Sequence, residues 1–249
     1  MLMMKFHTFY TSDLPKYAYE YHKLLHETLK IEVEYHCVNL QEDERYKNHE
    51  LPGYAAHGDM MDEIIQNADD DEVVCFLDID CYITRPFVAR SVFNTVKEKK
   101  IFAGNAQNIS HNFLRNNIYA AASCFMIHKQ AWIALGSPSL KYIELPDYQD
   151  VFIDTCMEAS MRANDSGFPY ILLQPTGFDM MPSIDMGPLG VYGKGTHYPF
   201  SWHLGRVSDI ENDYKHKNLL VKRYLEIVGG DLISPNYAYN KLFNDNVPF

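Results

Sequence analysis

The sequence has no CxxC pair, no dense run of lysine or arginine, and no apolar run long enough to span a bilayer. Each lack excludes something. The five cysteines, Cys37, Cys75, Cys81, Cys124 and Cys156, are odd in number and mostly sit inside apolar runs. They do not make a disulfide framework or a zinc ribbon, and read as small, reduced core residues. The nearest thing to a basic run is Lys97-Glu98-Lys99-Lys100, and the formal net charge is −11. Duplex nucleic-acid binders usually present a basic stripe, because phosphate contacts supply much of their affinity. Nucleic acid is therefore not favoured as a partner. Met1 to Tyr10 lacks the basic-then-apolar order of a signal peptide, and no stretch approaches the roughly 20 apolar residues of a membrane span. The expectation is a cytoplasmic protein, or one of the host cytoplasm if its source is viral.

What is present is ordinary globular material: 249 residues, 47% apolar and 22% charged. That suffices for one large α/β domain over residues 1–249, with little room for a second core. Tyrosine is plentiful at 18, which suits bases and sugars but also half-buried sheets. Lys5 to Tyr10 reads as a first strand. Ser12 or Asp13 can cap a helix with Pro15 in its first turn, and Leu14, Tyr17, Tyr21, Leu24, Leu25 and Leu29 follow at helical spacing. Ile31, Val33, Tyr35 and Cys37 alternate with polar residues, a strand period. A second helix fits Met61, Ile64, Ile65 and Ala68. Strand, helix, strand, helix predicts a central, mostly parallel sheet flanked by helices. Val73-Val74-Cys75-Phe76-Leu77 is continuously apolar, as a central strand covered on both faces should be. Further on, Pro86 to Lys99 reads as a helix, Ile101 to Gly104 and Ala120 to Ile127 as strands, Val151 to Ala163 as a helix and Tyr170 to Leu173 as a strand. Residues 175–200, rich in glycine and proline, read as a long functional loop. Leu219 to Val228 reads as a final helix, with 234–249 as a tail.

Asp78-Ile79-Asp80 closes the apolar run. In open α/β sheets the carboxyl edge of the strands is where ligands bind. Two carboxylates leaving a buried strand offer the hard oxygen donors that Mn²⁺ or Mg²⁺ prefers. Taken alone the pattern equally describes a solvated turn; its context after a buried strand favours a metal site.

This segment, with Cys81-Tyr82-Ile83 behind it, resembles the Asp-x-Asp segment of GT-A-fold glycosyltransferases, including the glycogenin-like and galactosyltransferase-like groups. The resemblance implies a Rossmann-like GT-A fold. It implies that Asp80 coordinates a metal and that Asp78 contacts the metal or the nucleotide ribose, with Ile79 between them. The ion would bridge the two phosphates of a nucleoside-diphosphate sugar, a UDP-sugar first among them, and the hydroxyl-bearing acceptor would receive the sugar.

By the same resemblance a late histidine often completes the metal site, and His203 directly follows the glycine-rich stretch. The longer His-to-Gly spacing and the Lys-Pro-Trp of the glycogenin-like pattern are absent here. A histidine packed on a strand is the plain alternative. Gly205 and Arg206 follow, and Arg206 or Lys194 can reach a phosphate. Asp150 is the candidate acceptor-side base of an inverting transfer, with Asp147 and Asp154 as rivals; a carboxylate there also serves as an ordinary helix cap. Phe9, Tyr10 and Thr11 end the first strand at the edge that holds base and ribose in related folds. Ser123, with Cys124, stands where a small pair lets the sugar approach, and His57, ahead of Gly58 and Asp59, faces the donor. Two rival classes share the aspartates. Haloacid-dehalogenase-type phosphatases use such a pair as nucleophile and acid/base, but usually with Thr or Val where Tyr82 stands. The other rival is a non-catalytic nucleotide-sugar-binding protein. The acceptor is open among a glycan, a protein, a small molecule and a modified base of phage DNA.

Overall fold

The apolar run Val73–Leu77 forms a strand buried along its whole length. It is the third strand of a computed structural model that describes residues 4–48, 52–108, 118–144, 152–177, 195–197, 200–203, 217, 220–222 and 224–225. Before it come β1 (Lys5–Thr11), α1 (Lys16–Thr28), β2 (Glu32–Val38) and α2 (Pro52–Asn67). After β3 (Val73–Leu77) follow β4 (Cys81–Ile83), α3 (Pro86–Lys99), β5 (Phe102–Asn108), β6 (Ile118–His128), α4 (Lys129–Ala134), β7 (Ile143–Glu144), β8 (Phe152–Ile153), α5 (Met157–Ser166), β9 (Ile171–Leu173), β10 (Pro175–Gly177), β11 (Gly195–His197) and β12 (Ser201–His203).

The central sheet runs β2-β1-β3-β6-β5-β9. Its pairs are parallel except where β6 opposes β3 and β5. Val73, Cys75 and Leu77 face a cluster that includes Ala89, Phe93 and Val96 of α3. Val74 and Phe76 face the opposite cluster, with Met61 and Ile65 of α2 and Ala159 and Ala163 of α5. Helices on both faces are why the strand alternates no polar residues. Each large side chain so buried contributes about 1.5–3 kcal/mol.

Several expectations are corrected. Neither Ser12 nor Asp13 caps α1; Pro15 occupies that position without a side-chain hydrogen bond. The Ser12 amide continues the strand pairing to the Val38 carbonyl and Leu14 turns back to Thr11, so both residues are spent on a turn. Helix α2 begins at Pro52, well before Met61. Gly53 and Gly58, poor helix formers, masked its start. Gly58 is there for close packing: a Cβ would lie 2.6 Å from the Lys141 Cα. The expected helix from Val151 starts only at Met157 and is preceded by β8. Cys156 just before it takes a left-handed backbone, φ 67°, which breaks helical continuity. The stretch 175–200 is not all irregular. β10 pairs with β11, β11 with β12, and β12 with β4, in a second, antiparallel sheet. The expected last helix is helical where it is described, and Leu220, Val221 and Tyr224 pack on Tyr17, Tyr21 and Leu25 of α1. The tail 234–249 lies outside the described residues.

Candidate metal centre

The centre is built on a turn. Asp78 leaves the carboxyl end of β3, and the Cys81 amide closes back on the Asp78 carbonyl at 2.9 Å. The Asp78 amide is held by the Ser123 carbonyl at 3.1 Å. That bond extends the β3–β6 pairing one residue past Leu77 and Cys124; on its other side β6 slips against β5, so that Gly104 faces Phe125 while the next residue, Asn105, faces Ala121. The slip needs Gly104, since a Cβ there would lie 2.8 Å from that of Ala120. Asn105 is fully buried. Its Nδ2 donates to Ser123 Oγ (3.1 Å) and its Oδ1 accepts from Ser201 Oγ (2.8 Å). Ser201 begins β12, whose antiparallel pairing sets His203 opposite Cys81. His203 Nε2 thereby comes 3.3 Å from Asp80 Oδ1. One ligand atom each from Asp78, Asp80 and His203 lies within 4.8 Å of the other two.

The charges in this cluster are not balanced by hydrogen bonds alone. Asp78 Oδ1 is shielded from solvent and has no hydrogen-bond partner among the described residues. His57 Nε2 is 3.6 Å away, too long for a hydrogen bond. Burial raises the Asp78 carboxyl above its ordinary range; His57 and His203 oppose the rise, while Asp80 and Asp154 add to it. An unpaired buried carboxylate oxygen costs on the order of 1–3 kcal/mol or more. A bound cation would remove that cost. Two carboxylates with one imidazole are a fitting donor set for Mn²⁺ or Mg²⁺.

The other expected residues are placed as follows. Thr11 and Tyr10 end β1 on the same sheet edge as Asp78, and the Tyr10 ring stacks on Tyr19 at 5.1 Å. Phe9 is buried, packed against His36, His57 and Phe76; it backs His57 instead of offering an open face. Ile79 packs against the α1 cluster. Ser123 is 2% exposed and touches Asp78 through its carbonyl. Asp59 is engaged by Lys141 and by the Tyr46 hydroxyl. Asp154 lies close enough to raise Asp78 electrostatically. Its Oδ2 accepts from Tyr119 and Gln107 and its Oδ1 from the Thr155 amide. By lone-pair count among the described residues, Oδ2 is filled and Oδ1 keeps one free site. Asp147, Asp150, Lys194, Gly205 and Arg206 lie outside the described residues.

Sequence reading missed Asn105, Gln107 and Tyr119. A signal existed: Asn105 and Gln107 stand two apart among Ala103, Gly104 and Ala106, and buried polar residues are the informative ones. It also missed a histidine pair. His26 Nε2 accepts from the Ile83 amide (3.1 Å), which puts its proton on Nδ1, donated to His22 Nδ1 (3.2 Å). His22 then carries its proton on Nε2, donated to the Cys81 carbonyl (3.1 Å), and also accepts from the Tyr35 hydroxyl (2.8 Å). With these tautomers the His26 and Tyr35 donors share the single lone pair of His22 Nδ1. Both rings are buried, which pushes His26 down to about 3 and His22 well below the usual imidazole range. This pair pins β4, the strand that carries the turn's far end.

No protein-family model and no curated protein sequence matches this chain. Among solved structures it is similar to a glycosyltransferase involved in glycosylation of the major capsid of PBCV-1, with 14% identity, 70% of this chain and 83% of that one covered, and a TM-score of 0.40. It is also similar to the galactosyltransferase LgtC in complex with donor and acceptor sugar analogs, with 11% identity, 70% and 73% covered, and a TM-score of 0.38. An active-site mutant of LgtC is similar at 10% identity, 91% and 95% covered, and a TM-score of 0.42.

Proposed function

We propose that this chain is a metal-dependent glycosyltransferase, moving a sugar from a nucleoside-diphosphate sugar, a UDP-sugar first, to a hydroxyl acceptor. The observation that carries the reading is Asp78 Oδ1, a buried carboxylate oxygen without a hydrogen-bond partner among the described residues, beside Asp80 and His203 at the carboxyl edge of the central sheet. Asp78, Asp80 and His203 would hold Mn²⁺ or Mg²⁺. When bound, the ion supplies Lewis-acid neutralisation of the diphosphate leaving group.

The chain's own residues do the rest. Tyr10, backed by Tyr19, and Thr11 receive base and ribose, while His57 faces the donor diphosphate beside Asp78. Lys194, Gly205 and Arg206 serve the phosphates. The acceptor oxygen bonds to the anomeric carbon as the bond from that carbon to the diphosphate oxygen breaks. Asp150 or Asp154 takes the hydroxyl proton. Within the described residues, Asp154 Oδ1 has the one lone pair that this role requires.

The test is a calorimetric screen of UDP-, GDP- and CDP-sugars with Mn²⁺, followed by transfer and hydrolysis assays on any donor that binds. Asp80→Asn is expected to abolish Mn²⁺-dependent donor binding and His203→Ala to weaken it about tenfold or more. Unchanged binding in both variants overturns the metal assignment. Donor binding without any hydrolysis or transfer turns the reading into that of a binding protein.

A further inference from the structure

A second cluster of metal-ligating side chains lies away from the turn, beneath α2. Strands β1 and β2 run parallel in register, with His7 opposite Glu34 and Phe9 opposite His36. Residues two apart share a face of a strand, so His7, Glu34 and His36 converge on one side of the sheet. His7 Nδ1 lies 3.0 Å from His36 Nε2. Glu34 Oε2 is 3.8 Å from His7 Nδ1, and Glu34 Oε1 is 3.9 Å from His36 Nε2.

We propose that His7, Glu34 and His36 form a binding site for a transition-metal cation of the zinc class, distinct from the aspartate site. The donor set argues for that class: two imidazoles and one carboxylate suit Zn²⁺, Ni²⁺ or Cu²⁺, whereas Mg²⁺ and Mn²⁺ prefer oxygen. The geometry fits as well. Tetrahedral zinc with ligand bonds near 2.0–2.1 Å separates its ligands by about 3.3 Å, and the observed separations bracket that value. The scaffold is two paired strands, so the ligands are held before any ion arrives. Ring packing of His36 on Phe9 and of His7 on Phe76 restrains both imidazoles.

The site is also reachable. His7 and His36 line a cavity of about 370 Å³ together with Lys5, Glu63 and Glu72, where two carboxylates stand against one ammonium. The fourth coordination position would face this cavity, as in sites that bind water or a small anion. One occupant competes: Lys5 Nζ is 2.7 Å from Glu34 Oε2. That pair is 39% and 47% exposed, and such surface pairs contribute only about 0–1 kcal/mol. The hydrogen bond between the rings is the other competitor, and a net hydrogen bond is worth about 1 kcal/mol. Neither outweighs a three-ligand transition-metal site.

The inference does not depend on the proposed sugar transfer, and its test separates the two. In untagged full-length Asp80→Asn protein, titration with Zn²⁺ alone is expected to show one equivalent bound. Adding His36→Asn should weaken that binding at least tenfold, while His36→Asn in the unmodified chain leaves Mn²⁺ affinity within twofold. His7→Gln, checked for native circular dichroism in EDTA, should repeat the zinc loss by removing a different ligand. Lys5→Met, which frees Glu34, should tighten zinc severalfold. Absence of zinc binding in Asp80→Asn overturns the site, and so does zinc affinity indifferent to His36→Asn and His7→Gln. Unchanged zinc affinity in Lys5→Met overturns the exchange of ammonium for metal.

Discussion

A side chain that weakens the fold is a sign of a ligand, and Asp78 is such a side chain. Its Oδ1 is buried without a hydrogen bond among the described residues, and burial disfavours its ionised form. A carboxyl whose folded pKa is raised stabilises the fold fully at low pH and loses that contribution as pH rises through the raised value. Asp78→Asn keeps the volume and removes the charge. It is expected to stabilise the metal-free protein by on the order of 1 kcal/mol at pH 7 while abolishing Mn²⁺ binding, as activity residues often trade against stability. Urea denaturation in EDTA checks this. A less stable Asp78→Asn protein would mean that the carboxylate is satisfied and needs no cation. The pair Asp78 and Asp80 was legible in the sequence because an apolar strand led into it. Asn105, which holds Ser123 and Ser201 on either side of the centre, carried no motif; its role exists only once three strands are in place.

At the level of elements, the centre depends on β4 and β12, each of three residues. Strands so short show no period, and Cys81 and His203 pair across more than a hundred residues of chain. That is why neither strand was foreseen, whereas Val73–Leu77, Pro86–Lys99 and the alternation at Glu32–Val38 could be read directly. His22 and His26 anchor β4 from α1 through the Cys81 carbonyl and the Ile83 amide. Both rings are held neutral by burial, His26 down to about 3. A depressed folded pKa contributes stability above the unfolded value of about 6.5, and that stability is lost as pH falls below it. Each ring should cost about 1.4 kcal/mol between pH 7.5 and 5.5. His7, His36 and His128 are also lowered by burial and add to the total, so the comparison must be differential. His26→Gln can still accept from Ile83 and donate to His22, but it does not titrate. Denaturant melts at the two pH values should show His26→Gln losing about 1.4 kcal/mol less than the unmodified chain. Equal losses would mean that His26 is protonated or exposed in the folded state.

For the whole molecule, two sheets meet at one turn. The six-stranded sheet delivers Asp78, and the antiparallel sheet delivers His203 beside Asp80. The layered α/β architecture was legible because helical and strand periods alternate along the first hundred residues. The second sheet was hidden inside a glycine- and proline-rich stretch whose composition describes a loop. A ligand that bridges the two sheets should therefore stabilise the chain as a unit. If the ion and the donor diphosphate share the centre, each must tighten the other by the same factor. Mn²⁺ or UDP-sugar alone should shift the melting temperature little. Together, at about a hundredfold excess over the dissociation constant, they should add roughly 2.7 kcal/mol, or about 5–10 °C for a chain of this size. EDTA should erase the shift, and Asp80→Asn should never show it. A UDP-sugar shift of the same size with and without Mn²⁺ would place the donor elsewhere, because a diphosphate meeting Asp78 and Asp80 without a cation brings four negative groups together in a partly buried cluster.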